Sequence, residues 1–215
     1  MTPITSCVSC PVGCASDVEL GERCPMTDHR WKAGTTLFGA GDAAGNVWFV
    51  RKGTVVLMKH EPAGAEGIAW AVRGPGTFLG LEALVRETYT DSARAITDVT
   101  ACGTSLRGLE SWLDGKERAA RTVLRCALEA QVTDAPRRAS ADGSAVRRVA
   151  EWLLDGGQHQ EWEGLPRRLV AGFLGMQPET LSRALASLAS TKAIEVTRRS
   201  ITVTDRTALA SAAGR

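Results

Sequence analysis

No apolar run in the 215 residues approaches the roughly 18–20 needed to cross a bilayer, so a membrane-spanning helix is excluded. Neither a basic n-region nor an apolar h-region opens the chain (MTPITSCVSC), and the cytoplasm is the expected compartment. Histidine is scarce. His29, His60 and His159 form no ligand or triad spacing, and no phosphate loop or nucleophile elbow is present. The chain is therefore not expected to be an enzyme. The one enzymatic rival is a thiol oxidoreductase built on Cys7-Val8-Ser9-Cys10, and it lacks the strand that should precede such a motif. No charge excess marks the chain either, with 26 Lys and Arg against 24 Asp and Glu. With 44% hydrophobic and 23% charged residues, it reads as globular rather than as a polyionic or low-complexity tail. Basic charge gathers mildly at the C-terminal end, where residues 137–215 hold 12 basic and 8 acidic side chains. That distribution is compatible with nucleic-acid binding.

Cysteine is what the chain does have. Four of the six fall in the first 24 residues: Cys7, Cys10, Cys14 and Cys24. Loops of two and three residues bring thiolates together at little closure cost, and a metal offsets their mutual repulsion. Disulfides are rare in a reducing cytosol, so a metal or a redox role is expected. Two centres suit all-sulfur ligation, zinc and an iron–sulfur cluster. A dithiol–disulfide switch without metal is a third reading. Cys126 lies among Leu124, Ala127 and Leu128 and reads as a core thiol.

From Trp31 to about Leu109, short apolar runs are broken by glycine turns, the pattern of an all-β roll or barrel. Val47–Val50, Thr54–Met58, Ile68–Val72 and Ala93–Ala101 are the candidate strands. From Leu109 to Thr133 the period becomes helical. Val123, Leu124, Ala127, Leu128 and Gln131 recur at steps of three and four and define one face. A symmetric helix pair in a homodimer is the simplest way to bury it. Asp134–Ser144 reads as a polar hinge, and Ala145–Leu154 as a further helix. The six tryptophans are expected in the core or at an interface.

Arg167–Leu174 fits a short helix, Gly175-Met176-Gln177 a tight turn, and Pro178–Ala189 a second helix with proline in its first turn. Leu181, Leu185 and Leu188 would face inward, which leaves Glu179, Ser182 and Arg183 exposed near the helix start, with Thr180 beside them. Side chains there reach base edges. Arg183 suits guanine O6 and N7, Glu179 suits cytosine N4, and Ser182 serves either. Ile194–Thr197 and Ile201–Thr204 then form a hairpin whose tip carries Arg198 and Arg199, suited to phosphates.

This order of parts resembles the CRP/FNR family of bacterial transcription regulators over about residues 31–210. The pieces that carry the resemblance are Lys32-Ala33-Gly34-Thr35-Thr36-Leu37-Phe38, Gly41-Asp42, Val50-Arg51-Lys52-Gly53, Gly76-Thr77-Phe78-Leu79-Gly80 and Glu179-Thr180-Leu181-Ser182-Arg183. It implies an α+β chain: an N-terminal β-roll of the cupin-like, cyclic-nucleotide-binding type, a long dimerisation helix and a C-terminal winged helix-turn-helix. The corresponding divisions are a cysteine-rich lead (1–30), the roll (31–109), the helix (110–135) and the DNA-binding domain (136–215). It further implies a homodimer on palindromic double-stranded DNA, with RNA polymerase as a partner. The cyclic-nucleotide branch carries Gly-Glu for the ribose and Arg-Ser or Arg-Thr for the phosphate. Here Leu81 follows Gly80 and Asp91 precedes Ser92, and an aspartate repels a cyclic phosphate. The FNR-like branch holds a [4Fe–4S] cluster with lead cysteines plus one cysteine of the roll, which resembles Cys7, Cys10, Cys14 and Cys102. Cys24 competes for the fourth position, and zinc remains the alternative metal. The expected effector is oxygen, redox state or nitric oxide.

Overall fold

The computed structural model describes residues 4, 10–12, 24–59, 67–139, 143–155, 166–198 and 200–215. The chain divides into two compact units. One holds residues 1–131 apart from 68–70, and the other holds 68–70 and 132–215.

Two four-stranded sheets make up the roll. One has the order β1 (Thr27–Trp31), β8 (Val99–Ser105), β3 (Asn46–Lys52), β6 (Phe78–Leu79). The other runs β2 (Thr36–Phe38), β7 (Ser92–Ala95), β4 (Val55–Lys59), β5 (Ile68–Arg73). Strand β3 is the apolar centre. Val47, Trp48, Phe49 and Val50 are all buried, so both faces of this strand are covered. Strand β8 instead alternates, with Val99, Ala101 and Gly103 buried and Thr100, Cys102 and Thr104 half-buried between them. Gly53 turns β3 into β4 with φ +92, and a Cβ there would strike the Asp98 carbonyl, so only glycine fits.

The roll expected from the glycine spacing is present, with one difference. Ala93–Ala101 is not a single strand. It breaks at Ile96-Thr97-Asp98, which carries the chain from one sheet to the other. Polar side chains hold the break: Asp98 accepts from Lys32 Nζ (2.8 Å) and from Ala33 N (3.0 Å), and Thr97 Oγ1 accepts from Thr54 N (2.9 Å).

Helix α1 (Leu106–Leu113) follows β8 directly, capped by Ser105, whose hydroxyl accepts from Gly108 N. The helical stretch expected from Leu109 onward is also divided. Gly115 takes φ +67 and separates α1 from α2 (Glu117–Ala139). Helix α2 runs past Asp134 and Pro136, where the hinge was expected. No glycine interrupts it before Gly143, and one proline removes one hydrogen bond of many.

The second unit contains α3 (Ala145–Asp155), α4 (Arg167–Phe173), α5 (Pro178–Ser190), the hairpin β9 (Ile194–Val196) and β10 (Ile201–Val203), and α6 (Arg206–Ala212). Its core gathers Val149, Trp152 and Leu153 of α3, Val170 of α4, and Leu181, Leu185 and Leu188 of α5. No described helix is long and apolar enough to cross a membrane.

Phe49 is fully buried and lies 5.0 Å from Phe78, ring centre to ring centre. Phe49→Ala is expected to destabilise the first unit by about 3–5 kcal/mol. Chemical unfolding followed by tryptophan fluorescence measures this.

Candidate nucleic-acid interface and cysteine-rich lead

Helix α5 begins at Pro178, whose missing N–H falls where a helix has no internal acceptor to lose. Its buried side is Leu181, Ala184, Leu185 and Leu188. That packing fixes which way the rest points. Glu179, Ser182 and Arg183 are exposed, and Thr180 is half-buried. Glu179, Ser182 and Arg183 thus share the solvent side of the first two turns, as the sequence predicts.

In the hairpin, Ile201 pairs with Val196 and Val203 with Ile194. Thr197 and Ser200 close the tip: Thr197 N donates to Ser200 O (2.9 Å), and Ser200 N donates to Thr197 Oγ1 (2.9 Å). Arg198 is exposed on this tip, and Arg199 lies outside the described residues. Arg167, the first residue of α4, donates from Nη2 to Thr197 O (2.9 Å), so the hairpin is tied to the helix-turn-helix.

Helix α2 has two faces. Ala119, Val123 and Cys126 are buried in the core of the first unit. Leu124, Leu128 and Val132 are 58%, 50% and 70% exposed, Gln131 is exposed and Ala127 is half-buried. Val123, placed by its spacing on the exposed stripe, is only 6% exposed and belongs to the inner face. The roll needs one side of this helix to close its own core. Val132 extends the outer stripe, a position that four-residue steps from Leu124 and Leu128 could have found.

Cys102 is half-buried on β8. Arg51 Nη1 donates to its Sγ at 3.6 Å, and the thiol itself donates to Asp28 Oδ1 at 3.6 Å. Arg51 and Asp28 are ion-paired at 2.9 Å. Burial pushes the Cys102 thiol up to about 11, with the Arg51 guanidinium opposing. Arg51 also holds the lead: its Nε donates to Ile4 O (3.0 Å), and Ile4 N donates to Arg51 O (2.9 Å). Sequence reasoning missed this role of Arg51, which stands out in the sequence only as part of a turn motif. Cys10 is buried, and Cys24 is half-buried against the same core. Burial raises the Cys126 thiol, with the charges of Glu129 and Cys10 adding to the shift. Cys7 and Cys14 lie outside the described residues. Among the described residues no three His, Cys, Asp or Glu side chains converge as a metal site.

The segment from Gly80 to Ser92 buries acidic charge. Asp91 is 5% exposed and pairs with Lys59 at 2.6 Å. Glu82 is raised above the usual carboxylate range by burial, with the Asp91 charge adding to it. Ser92 Oγ already accepts from Ala40 N (2.9 Å).

The turn between α4 and α5 depends on Gly175, which has φ +61. Gly175→Ala is expected to cost about 1–2 kcal/mol in the unfolding of the second unit, because an L-residue strains there. Thermal unfolding measures it.

Two family models match the chain. One, described as the cyclic nucleotide-binding domain, covers residues 28–116, and the other, the Crp-like helix-turn-helix domain, covers residues 147–212. The transcriptional activator protein anr of Pseudomonas aeruginosa is 24% identical over 194 residues, 85% of this chain and 79% of that protein. The CRP-like cAMP-activated global transcriptional regulator of Mycobacterium tuberculosis is 26% identical over 188 residues, 82% of this chain and 84% of that one. Among solved structures, FixK2 from Bradyrhizobium japonicum superposes with a TM-score of 0.74 at 22% identity, covering 86% of this chain and 96% of that one. A CRP-family transcriptional regulator from Thermus thermophilus gives 0.69 at 24% identity, covering 87% and 97%. These likenesses agree with the fold described above. With a roll of the cyclic nucleotide-binding type and a Crp-like helix-turn-helix in this order along one polypeptide, the chain belongs to the CRP/FNR family of DNA-binding transcription regulators and is not an enzyme.

Proposed function

We propose that this regulator is a homodimer that senses oxygen, redox state or nitric oxide through a cysteine-ligated [4Fe–4S] cluster. Cys7, Cys10, Cys14 and Cys102 are its ligands, with Cys24 the competitor for the fourth place. The observation that carries the reading is the tie between Ile4 and Arg51, because Arg51 also touches the Cys102 sulfur. The lead therefore starts out beside the roll cysteine. Cys7 is three residues beyond Ile4, a reach of at most about 10 Å in extended chain. The donor chemistry fits, since all the candidate ligands are sulfur and such clusters are held by thiolates. A cluster supplies an oxygen-reactive, redox-active centre when bound. The chain's part is to keep Cys102 partly covered between Arg51 and Asp28, where burial raises the thiol and a bound metal would draw it to the thiolate.

The acidic charge around Asp91 disfavours a cyclic nucleotide as the effector. A cyclic phosphate entering beside Asp91 would meet a buried carboxylate that already holds the nearby Lys59, with Glu82 next to it. Burying like charges together costs free energy. The outer stripe Leu124, Leu128, Gln131 and Val132 supports a helix pair between protomers, with Ala127 at its margin. On palindromic DNA, Glu179, Ser182 and Arg183 read bases with Thr180 in support, Arg198 and Arg199 bind phosphate, and RNA polymerase is the downstream partner.

Protein purified without oxygen is expected to be brown, with about four iron and four sulfide per chain, and to bleach in air. Cys10→Ser is expected to lose the colour. A colourless chain with one tightly held zinc, or reversible DNA binding with reductant alone and no metal, would overturn the cluster. For the reading head, Arg183→Ala is expected to lose about 1–3 kcal/mol at its guanine and to relax choice at that base. Arg198→Ala should instead weaken all duplexes alike and lower the salt slope by about one. Titrations on duplexes with single-base changes, across a salt series, separate the two.

A further inference from the structure

The two helices of the reading head are joined by a turn with two kinds of support. The first is local. Met176 N donates to Ala171 O (2.9 Å) and Gly175 N donates to Gly172 O (3.1 Å). With Gly175 left-handed, this is the Schellman arrangement, which satisfies two of the last carbonyls of α4. The second support comes from outside. The carbonyls of Leu174 and Gly175, which the Schellman pair does not use, both face Arg148 Nη1, at 3.1 and 3.5 Å. Arg148 belongs to α3, a separate helix of the same core. Its neighbour Arg147 is exposed and pairs with Glu151 at 2.9 Å, as an ordinary surface arginine does. Arg148 is instead half-buried, and its Nε is shut off from water. A cation at the C-terminal end of α4 also meets the negative end of that helix.

We propose that Arg148 is a positioning residue for DNA reading: by binding the carbonyls of Leu174 and Gly175 it locks the turn onto α3 and sets the angle at which α5 presents Glu179, Ser182 and Arg183. The role belongs to orientation rather than to contact. Loss of the lock lets α5 sample several angles. Contacts to base edges need one angle and suffer, whereas contacts to phosphates tolerate many. A lysine keeps the charge, but its ammonium sits one bond short of the Nη1 that meets both carbonyls and is not held in a planar group, so it restores the lock only in part.

The test uses the full chain prepared without oxygen, a duplex that the unaltered protein selects from a random pool, and an unrelated duplex. Arg148→Met, Arg148→Lys and the control Arg147→Met are titrated with both duplexes across a salt series, and unfolding is followed in parallel. Arg148→Met is expected to lose about tenfold on the selected duplex, the scale of one mismatched base pair, while staying within about twofold on the unrelated one with the same salt slope. Arg148→Lys should fall between, and Arg147→Met should match the unaltered chain. A salt slope lower by about one on both duplexes would make Arg148 a direct phosphate contact and overturn the proposal. Equal losses on both duplexes with a smaller folded fraction would overturn it in favour of a general role in folding, as would an unchanged ratio in both variants in favour of none. If Arg148→Met does not fold, the ratio for Arg148→Lys decides: a reduced ratio in a folded protein supports the lock, and an unchanged one overturns it.

Discussion

The pairing of β3 with β8 over residues 46–50, whose register shifts only after Val50, is the constraint on which the first unit depends. Phe49 lies opposite Cys102, and Val50 opposite Ala101. Because side chains alternate along a strand, a slip of one residue would carry Cys102 to the buried side of β8 and Ala101 out of it. What prevents the slip is the bulk on β3. Trp48 stacks on Phe38 at 5.3 Å and Phe49 packs on Phe78, and these two neighbours lie on different strands. Gly103 adds a steric lock, since a Cβ there would meet both the Trp48 and the His29 rings. Aromatic packing thus decides where one sulfur sits, and Arg51, just past the buried part of β3, is placed to touch it.

The reading head rests on a different balance. Its core is small, and its helices α4 and α5 are 7 and 13 residues long, too short to be stable alone. Burial of Leu181, Leu185 and Leu188 against Trp152 and Leu153 supplies the stability, and turn geometry supplies the direction. The arginines divide by environment. Arg167 and Arg148 hold main-chain carbonyls, and Arg183 and Arg198 stay in water. Net charge alone does not separate these uses; the acceptors near each guanidinium do.

Much of this was legible in the residues. Helix-turn-helix spacing is short-range, written in the steps between Leu181, Leu185 and Leu188 and in one glycine, and the structure follows it closely. The roll was legible as a class because glycine punctuates it. The change of sheet at Ile96-Thr97-Asp98 was not, because it is fixed by Lys32 and Thr54, far away in sequence. The inner and outer faces of α2 were merged for the same reason. Periodicity marks apolar positions, but not which of two apolar neighbours the roll will claim, and it claimed Val123 and Cys126 rather than Leu124 and Leu128. Among the site residues, exposure of Glu179, Ser182 and Arg183 followed from the leucines. The roles of Arg51 and Arg148 did not, because they bind backbone atoms that no side-chain pattern records.

Helix α2 is where the lead, the roll and the proposed dimer seam meet. Cys10 and Val12 of the lead are buried in the same core that takes up Ala119, Val123 and Cys126, so the lead helps to cover the inner face of the helix. The outer face of that helix carries Leu124 and Leu128, free of its own unit. In the proposed sensor, ordering or releasing the lead changes the packing on one side of a rigid element whose other side is the proposed dimer seam. A close-packed core does not absorb such a change by small give on every side; it shifts as a block. The helix needs no separate relay for this, because its inner apolar face and its outer one share the same turns.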